Sequence, residues 1–582
     1  MTKNNALLPT DPNNSQPTSF LSADPNNPQT YATALQQFTH SDYFVPVSVL
    51  AGIFAYKFYK SIQGPAPITG SAFWAKSKHI KRAKELCLKQ NSSPDPLEIS
   101  FQLGNIPLLD AVTSAITFGA PKTGKSFGIL NQLIFENLRK GNPQCIVDLQ
   151  YPVQTSMFVA IAQEFGYKAE DIHLFVPGMP ESGVWNICEQ AEGIKALEMS
   201  GLIQDNASEA DVKKDDFFSP GVKFLLAGLM SMCRHIPGLD NLLGCRAILN
   251  INDLGERLEL HRDKLDLIDQ WSNSMFDQFK ASAESPETAA SLRAATQIFL
   301  SLFANEQIAP SIIGKTSFPL HLEGKQLLII AAPPDLRRTT APLLMALLSQ
   351  IVEANAHTGR KDTLQIAIDE VFAVQYKRII DDVNENRKYG VYFNVAAQNI
   401  NQCKKKFGDE GMKNLLTGFG HKFWFNPREN DSARYLETSL GSKITRKTNY
   451  TYGISGEKSN NSSTTTEVER KLCTMADILK TPQGVMIAQT SGISTPKEEY
   501  IPWKVKVKPS NLYKEMTSWA TGQWEFTRKQ LIARSPQVPA DDVLRSTRFA
   551  AEALLPSTKG AEPKSAEQIL LEEQEVLMRQ LA

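Results

Sequence analysis

Residues 114–138 read SAITFGAPKTGKSFGILNQLIFENL, and the order of what they contain decides the fold. Ala115–Phe118 is a short apolar run with a β-branched centre, the composition of a strand buried on both faces. It leads into Gly119-Ala120-Pro121-Lys122-Thr123-Gly124-Lys125-Ser126, which satisfies GxxxxGK[ST] at each fixed position. Ile129, Leu130, Leu133, Ile134 and Leu138 then recur at helical spacing. Strand, glycine loop and helix in that order make a phosphate-binding P-loop. Glycines let backbone N–H groups converge on phosphate oxygens, and the helix start adds the positive end of its dipole. Gly119 through Ser126, with Phe127, are therefore expected to hold a nucleotide. Lys125 is expected to reach the β- and γ-phosphates and the Ser126 hydroxyl to ligate Mg²⁺. ATP and Mg²⁺ are the implied cofactors.

A P-loop works with an acidic strand end. Leu364–Glu370, LQIAIDE, is an apolar run closing on two carboxylates. Asp369 is expected to hold Mg²⁺, through water, and Glu370 to orient and deprotonate the attacking water. Paired acids favour an ATPase over a GTP switch, and no NKxD-like base-reading motif follows. A further strand, Val391–Ala397, ends at Gln398, where a side-chain amide can sense the γ-phosphate. Before it lies Asn386-Arg387-Lys388-Tyr389-Gly390. Arg387 is a candidate arginine finger acting on the nucleotide of a neighbouring subunit. Spacing alone reads Arg387 equally well as a solvated helix-end arginine, and Gln398 as a loop hydrogen-bonder.

Composition sets outer bounds. At 582 residues the chain is too long for one core. Hydrophobic content of 42% and charged content of 21% exclude a wholly disordered or collagen-like chain. The 62 basic and 62 acidic residues cancel, so a nucleic-acid partner must rest on local features. Seven cysteines without a CxxC read as reduced, partly buried thiols rather than a disulfide framework. No histidine spacing suggests a metal site beyond the nucleotide's own.

Residues 1–42 are rich in Asn, Pro, Gln, Ser and Thr, the composition of a disordered tail. Tyr43–Tyr59, YFVPVSVLAGIFAYKFY, is about as long as the shortest bilayer-spanning helix. Seven Lys/Arg and no acid follow between Lys57 and Lys84, which puts the bulk of the chain on the cytoplasmic side. A buried or interfacial amphipathic helix is the competing reading. Ser455–Glu467, SGEKSNNSSTTTE, reads as a flexible loop, and Ser535–Lys564 as a flexible, Pro- and charge-rich stretch. Ala566–Leu581 carries apolar residues at helical spacing, as a short docking helix would.

The ordered set of blocks resembles the type IV coupling proteins (the TraG/TraD family), within the FtsK/HerA class of ring-forming motor ATPases. Gly70-Ser-Ala-Phe-Trp-Ala75 is similar to that family's GSARWA signature, with Phe73 in place of arginine. Ile368–Val374 is similar to its acidic strand, and Asn386–Gly408 to its arginine–glycine–strand–glutamine block, including Gln398 and Gln402. Arg470–Gly492 looks like its last helix and strand. After the second strand the chain reads Asp148-Leu-Gln-Tyr-Pro152 where relatives carry D-P-K-G-E.

The resemblance implies an α/β fold: a RecA-like P-loop NTPase domain with a largely parallel central sheet, an inserted all-α domain and an N-terminal transmembrane helix. The expected divisions are a tail (1–42), a membrane helix (43–62), ATPase segments (63–189 and 316–510) around the all-α insert (190–315), and a partly helical, flexible C-terminal tail (511–582). Strands are expected near residues 114–118, 144–148, 172–176, 326–331, 364–368, 391–397, 421–425 and 484–489. The resemblance further implies a homohexamer at the bacterial inner membrane. It would translocate single- or double-stranded DNA without sequence specificity, and work with a relaxase or relaxosome and with type IV secretion channel proteins. Lys404-Lys405-Lys406 is one candidate DNA contact, although a solvated charge run reads better. An export receptor for protein effectors and a non-conjugative DNA translocase are the alternatives.

Overall fold

The computed structural model describes residues 72–207, 218–281, 285–455, 458–538 and 542–557. The expected tail, membrane helix and Ala566–Leu581 helix lie outside them. Among the described residues no helix is long and apolar enough to cross a membrane.

Among the described residues thirteen strands occur in chain order. The first five are β1 (Phe101–Leu103), β2 (Ile106–Leu108), β3 (Ala115–Phe118), β4 (Gln144–Asp148) and β5 (Ile172–Phe175). Then come β6 (Leu327–Ala331), β7 (Leu364–Ile368), β8 (Val391–Ala397) and β9 (His421–Trp424). The last four are β10 (Ser442–Ser455), β11 (Lys458–Lys471), β12 (Val485–Thr490) and β13 (Trp503–Lys506). Nine of them form one sheet in the order β13-β12-β9-β3-β8-β7-β4-β6-β5. From β9 to β5 every neighbour is parallel. β12 runs antiparallel to β9, and β13 antiparallel to β12.

Parallel strands in such a sheet are covered on both faces, and the residues show it. Cys145 and Val147 of β4 face one apolar core together with Ile366 and Ile368. Ile146, one residue out of phase, faces a second core with Leu327 and Ile329. The first core is continuous with the helices of the insert and with the helix Arg337–Asn355. The second is covered by the helices Asn131–Lys140 and Thr155–Glu164.

Between β5 and β6 the chain is helical, with segments that include Ile194–Ala207, Phe218–Cys233, Leu242–Leu249, Arg262–Ser274 and Pro286–Phe303. All seven cysteines are buried free thiols. Cys188 and Cys245 meet inside this part of the molecule with their sulfurs 3.9 Å apart. The contact with Cys245, followed by burial, raises the Cys188 thiol well above its ordinary range, and burial does the same to Cys245.

Two expectations need correction. The stretch 455–467 is no simple flexible loop: apart from residues 456 and 457 it belongs to a two-stranded ribbon, β10 paired with β11 from Ser442↔Lys471 to Ser455↔Lys458. Polar Thr, Ser and Asn hide a strand because they lack apolar alternation, yet threonine is a good strand former. Nor are the described residues after 510 a loose tail. Helices Asn511–Gly522 and Trp524–Arg534 bury Tyr513, Ala520 and Leu531 in the second core. Helix Val543–Leu554 reaches the all-α part, where Arg257 Nη1 lies 2.5 Å from Glu552 and donates to the Leu555 carbonyl at 2.8 Å.

Candidate nucleotide site

β3 delivers the phosphate loop to the carboxyl edge of the sheet, where ligands of open α/β sheets bind. The loop's backbone requires its glycines. Gly124 sits at φ 108°, a conformation costly for any L side chain. A Cβ on Gly119 would stand 2.6 Å from Thr123 Oγ1 and 2.8 Å from Phe425 Cβ. Thr123 Oγ1 instead closes the turn on the Ala120 carbonyl at 2.7 Å. Pro121 and Lys122 are exposed, Ala120 and Thr123 are buried, and Lys122 adopts φ 63°. The helix after the loop opens with a wide π turn, Ser126–Leu130, before regular helix begins at Asn131.

Two other strands fix the loop from outside. The Ala120 amide donates to the Asn426 carbonyl at 3.0 Å, just beyond β9. The Gly484 amide, just before β12, donates to the Thr123 carbonyl at 3.0 Å. Asn426 ties the two together by donating from Nδ2 to the carbonyls of Leu479 and Thr481, at 2.7 and 3.0 Å. Behind the loop, Tyr513 donates its hydroxyl to the Phe127 carbonyl at 3.0 Å, and the two rings lie 5.0 Å apart. Asn426, Gly484 and Tyr513 are absent from the motif reading, because two act through backbone and one comes from a helix nearly 400 positions away.

β7 ends level with the loop and turns out Asp369 and Glu370. Ser126 Oγ donates to Asp369 Oδ2 at 2.7 Å. Lys125 Nζ lies 3.4 Å from Asp369 Oδ1 and in direct contact with Glu370 Oε1. Lys125 is 7% exposed, so this ion pair is largely shielded from water. Glu370 holds φ 55°, which aims its carboxylate back towards the lysine, and its amide donates to Asp369 Oδ1 at 3.0 Å. β8 intervenes between the P-loop strand and the acidic strand. Ala397, its last residue, pairs with Phe118 and accepts from the Gly119 amide at 3.2 Å. Gln398 therefore emerges between the phosphate loop and the acids, half-buried. Lys125, Ser126, Asp369 and Glu370 converge, and Gln398 follows β8 on the same edge of the sheet.

Arg387 does not join them within one chain. It lies in the turn Asn386–Tyr389 ahead of β8, lining a cleft with Gln90 and Asp110. The length of β8 alone separates it from Gly119 by about 20 Å.

Asp148, at the end of β4, has a structural occupation. It accepts from the amides of Gln154 and Thr155 and from Thr155 Oγ1, each at 2.9 Å, and so anchors the helix Thr155–Glu164. Burial pushes its carboxyl above the ordinary carboxylate range, against the pull of those hydrogen bonds. Of the lysine run, Lys404 pairs with Asp409 at 2.9 Å, as a solvated helix charge does.

Comparison with known proteins agrees with this fold. The family model TraG-D_C, described as the TraM recognition site of TraD and TraG, matches residues 363–483. That segment holds Asp369, Glu370, Arg387, Gln398 and the ribbon. No curated protein matches the chain. Among solved structures, the bacterial conjugative coupling protein TrwBdeltaN70 in an unbound form matches with TM-score 0.56 at 14% identity, over 77% of this chain and 96% of that one. The plasmid coupling protein TrwB with a non-hydrolysable GTP analogue gives 0.54 at 13% identity, over 77% and 97%. TrwB with ADP and Mg²⁺ gives 0.53 at 13%, over the same shares. Identities this low speak for the fold. In the order of its motifs, in the family segment 363–483 and in its fold, the chain is similar to the type IV coupling proteins.

Proposed function

We propose that the chain is an ATP-hydrolysing motor of the coupling-protein kind, which feeds DNA with its attached relaxase into a conjugative or type IV secretion channel. The observation that carries this reading is the convergence of Lys125 and Ser126 with Asp369 and Glu370. A glycine-cradled loop, a hydroxyl and a carboxylate 2.7 Å apart, and a shielded lysine suit a Mg²⁺-nucleotide. Lys125 would bind the β- and γ-phosphates in place of its carboxylate partners. Ser126 and Asp369 would hold Mg²⁺, whose chemistry is to neutralise charge developing on the phosphates. Glu370 would accept the proton of the attacking water. Gln398 would report on the γ-phosphate from the end of β8.

The position of Arg387, away from its own chain's phosphate loop, suits action on a neighbouring subunit in a ring, which we take to be a homohexamer. Residues 43–62 would anchor it in the bacterial inner membrane with the ATPase in the cytoplasm. The family model's description favours recognition of a TraM-like protein somewhere within residues 363–483.

A gene-deletion strain complemented with wild type or Lys125→Ala tests the whole reading in a DNA-transfer assay. Wild type restores transfer and Lys125→Ala does not. Equal transfer by both removes ATP hydrolysis from the function. No DNA transfer under either, with effector export restored by wild type, assigns the motor to protein substrates.

A further inference from the structure

Seven non-glycine residues among those described hold a left-handed backbone, and three charged ones gather at the phosphate loop: Lys122 at φ 63°, Glu370 at φ 55° and Arg428 at φ 53°. Such backbone is costly for a residue with a Cβ and collects where function over-determines it. Lys122 and Glu370 belong to the phosphate loop and the acidic strand end. Arg428 belongs to neither.

The chain around Arg428 is nevertheless fastened to the loop. β9 lies beside β3 on the side away from β8, and the residues leaving β9 run against the loop. The Phe425 amide donates to the Phe118 carbonyl at 2.8 Å, and the next carbonyl, that of Asn426, accepts from Ala120 at 3.0 Å. Asn426 Oδ1 in turn accepts from the Arg428 amide at 2.9 Å, an Asx turn that fixes the backbone of Arg428. One asparagine therefore grips the loop through its carbonyl and Arg428 through its side chain.

Arg428 is exposed, and its guanidinium has no hydrogen-bond or ion-pair partner among the described residues. Its neighbour Glu429 is already engaged, accepting from the amides of Asp431 and Ser432 at 2.7 and 2.9 Å to cap the helix Asn430–Leu440. Lys122 is exposed and equally without a partner among the described residues. Across the loop, Lys125 faces the two carboxylates of Asp369 and Glu370 alone. The site is thus short of positive charge before any phosphate arrives, and its unpaired cations lie against the first half of the loop.

We propose that Arg428 is a second phosphate-binding arginine, which takes the terminal phosphate of the nucleotide held by its own chain. The later amides of a P-loop cradle the α- and β-phosphates, and the lysine reaches the β- and γ-phosphates. Arg428 is anchored at Ala120, the second residue of the loop, and supplies charge at the terminal end. A guanidinium fork bonds two phosphate oxygens at once and stays charged throughout turnover. Charge aimed at the transferring phosphoryl group favours the transition state. The inference rests on the ATP-site reading and adds a residue that the motif lacks. Arg428 differs from Arg387 in serving its own chain.

The test measures binding of a fluorescent non-hydrolysable ATP analogue and of fluorescent ADP, together with hydrolysis, on the full-length protein. The variants are Arg428→Gly, Arg428→Lys and Lys125→Ala. Glycine tolerates the left-handed backbone, so Arg428→Gly unfolds at or above the wild-type temperature. It weakens the ATP analogue about tenfold or more, the effect of losing a hydrogen bond to a charged group, and changes ADP by less than about twofold. Its kcat falls as well, and Arg428→Lys recovers part of both losses. If glycine loosens the turn and lowers the unfolding temperature, Arg428→Gln repeats the measurement. Wild-type affinity and turnover in Arg428→Gly overturn the inference, and so does equal weakening of the ATP analogue and ADP. Hydrolysis regained on mixing Arg428→Gly with Lys125→Ala subunits assigns Arg428 to a neighbour's nucleotide and also overturns it. Lys125→Ala that binds both nucleotides like wild type overturns the ATP-site reading itself, an outcome distinct from insensitivity of the Arg428 variants alone.

Discussion

Ser126 donates its hydroxyl to the carboxylate of Asp369 at 2.7 Å, across 243 positions of sequence. The contact joins the start of the P-loop helix to the end of β7, with β8 between their strands. It fixes the spacing between the residue expected to ligate a metal and the carboxylate expected to support it. The general base candidate is the next residue along.

Glu370→Gln should separate binding from chemistry. The variant keeps nucleotide affinity and loses hydrolysis by a factor on the order of 10²–10⁴, the usual contribution of a positioned base. Lys125→Ala should lose both. A fluorescent ADP titration alongside phosphate-release assays distinguishes the two, and a Glu370→Gln enzyme with wild-type turnover removes Glu370 from the mechanism.

Arg387 calls for a mixing experiment. Arg387→Ala and Lys125→Ala are each expected to be inactive alone. Mixed rings should regain part of the activity, because an intact P-loop can then neighbour an intact arginine. If no ratio of the two restores hydrolysis, Arg387 serves its own chain's fold and not a neighbour's nucleotide.

Tyr513 tests how far the C-terminal helices belong to the ATPase. Its ring packs edge-on to Phe135 at 5.3 Å and its hydroxyl reaches the Phe127 carbonyl. Tyr513→Phe removes only the hydrogen bond and should cost about 1 kcal/mol. Tyr513→Ala opens a cavity beside the P-loop helix and should cost about 3–5 kcal/mol. Urea unfolding midpoints measure both, and equal midpoints for Tyr513→Ala and wild type would show the helix to be dispensable.

His421 predicts acid sensitivity. It is fully buried at the start of β9, close to Thr113 Oγ1 at 2.9 Å and the Asp110 carbonyl at 3.1 Å. Burial lowers its imidazole from 6.5 to about 4, and Lys422 and Arg387 act in the same direction. Between those values the unfolded chain binds a proton that the folded chain refuses, so stability falls as pH drops from 6.5 towards 4 and is unaffected above. Between pH 7.5 and 5.5 wild type should lose about 1 kcal/mol more than His421→Gln. Parallel losses in the two proteins would assign the acid sensitivity elsewhere.

What could be read from sequence follows from what each residue does locally. The P-loop announces itself because Gly119 and Gly124 are required by backbone and Lys125 by charge. Asp369 and Glu370 stand out as acids closing an apolar run. β13 and the short pair β1–β2 escape notice because three or four residues carry too little periodicity. The ribbon escapes because its strands are polar and are specified by each other. The supports of the phosphate loop, Asn426 and Gly484, act partly or wholly through backbone groups that any residue possesses. Only the folded chain brings them there.

The three helices among the described residues after 510 form a belt. It begins at the P-loop helix with Tyr513 and is stitched midway by Arg528 Nε to buried Glu181 at 2.8 Å. It fastens at Arg257 and Lys264 on the all-α part. Cutting the chain at residue 510 would thus do two kinds of harm at once. It would strip the cover from Phe135 and Leu174, leaving a sticky apolar wall, and it would unbuckle the helical part from the nucleotide-binding part. Shortened versions intended to isolate the ATPase should therefore keep residues 511–557.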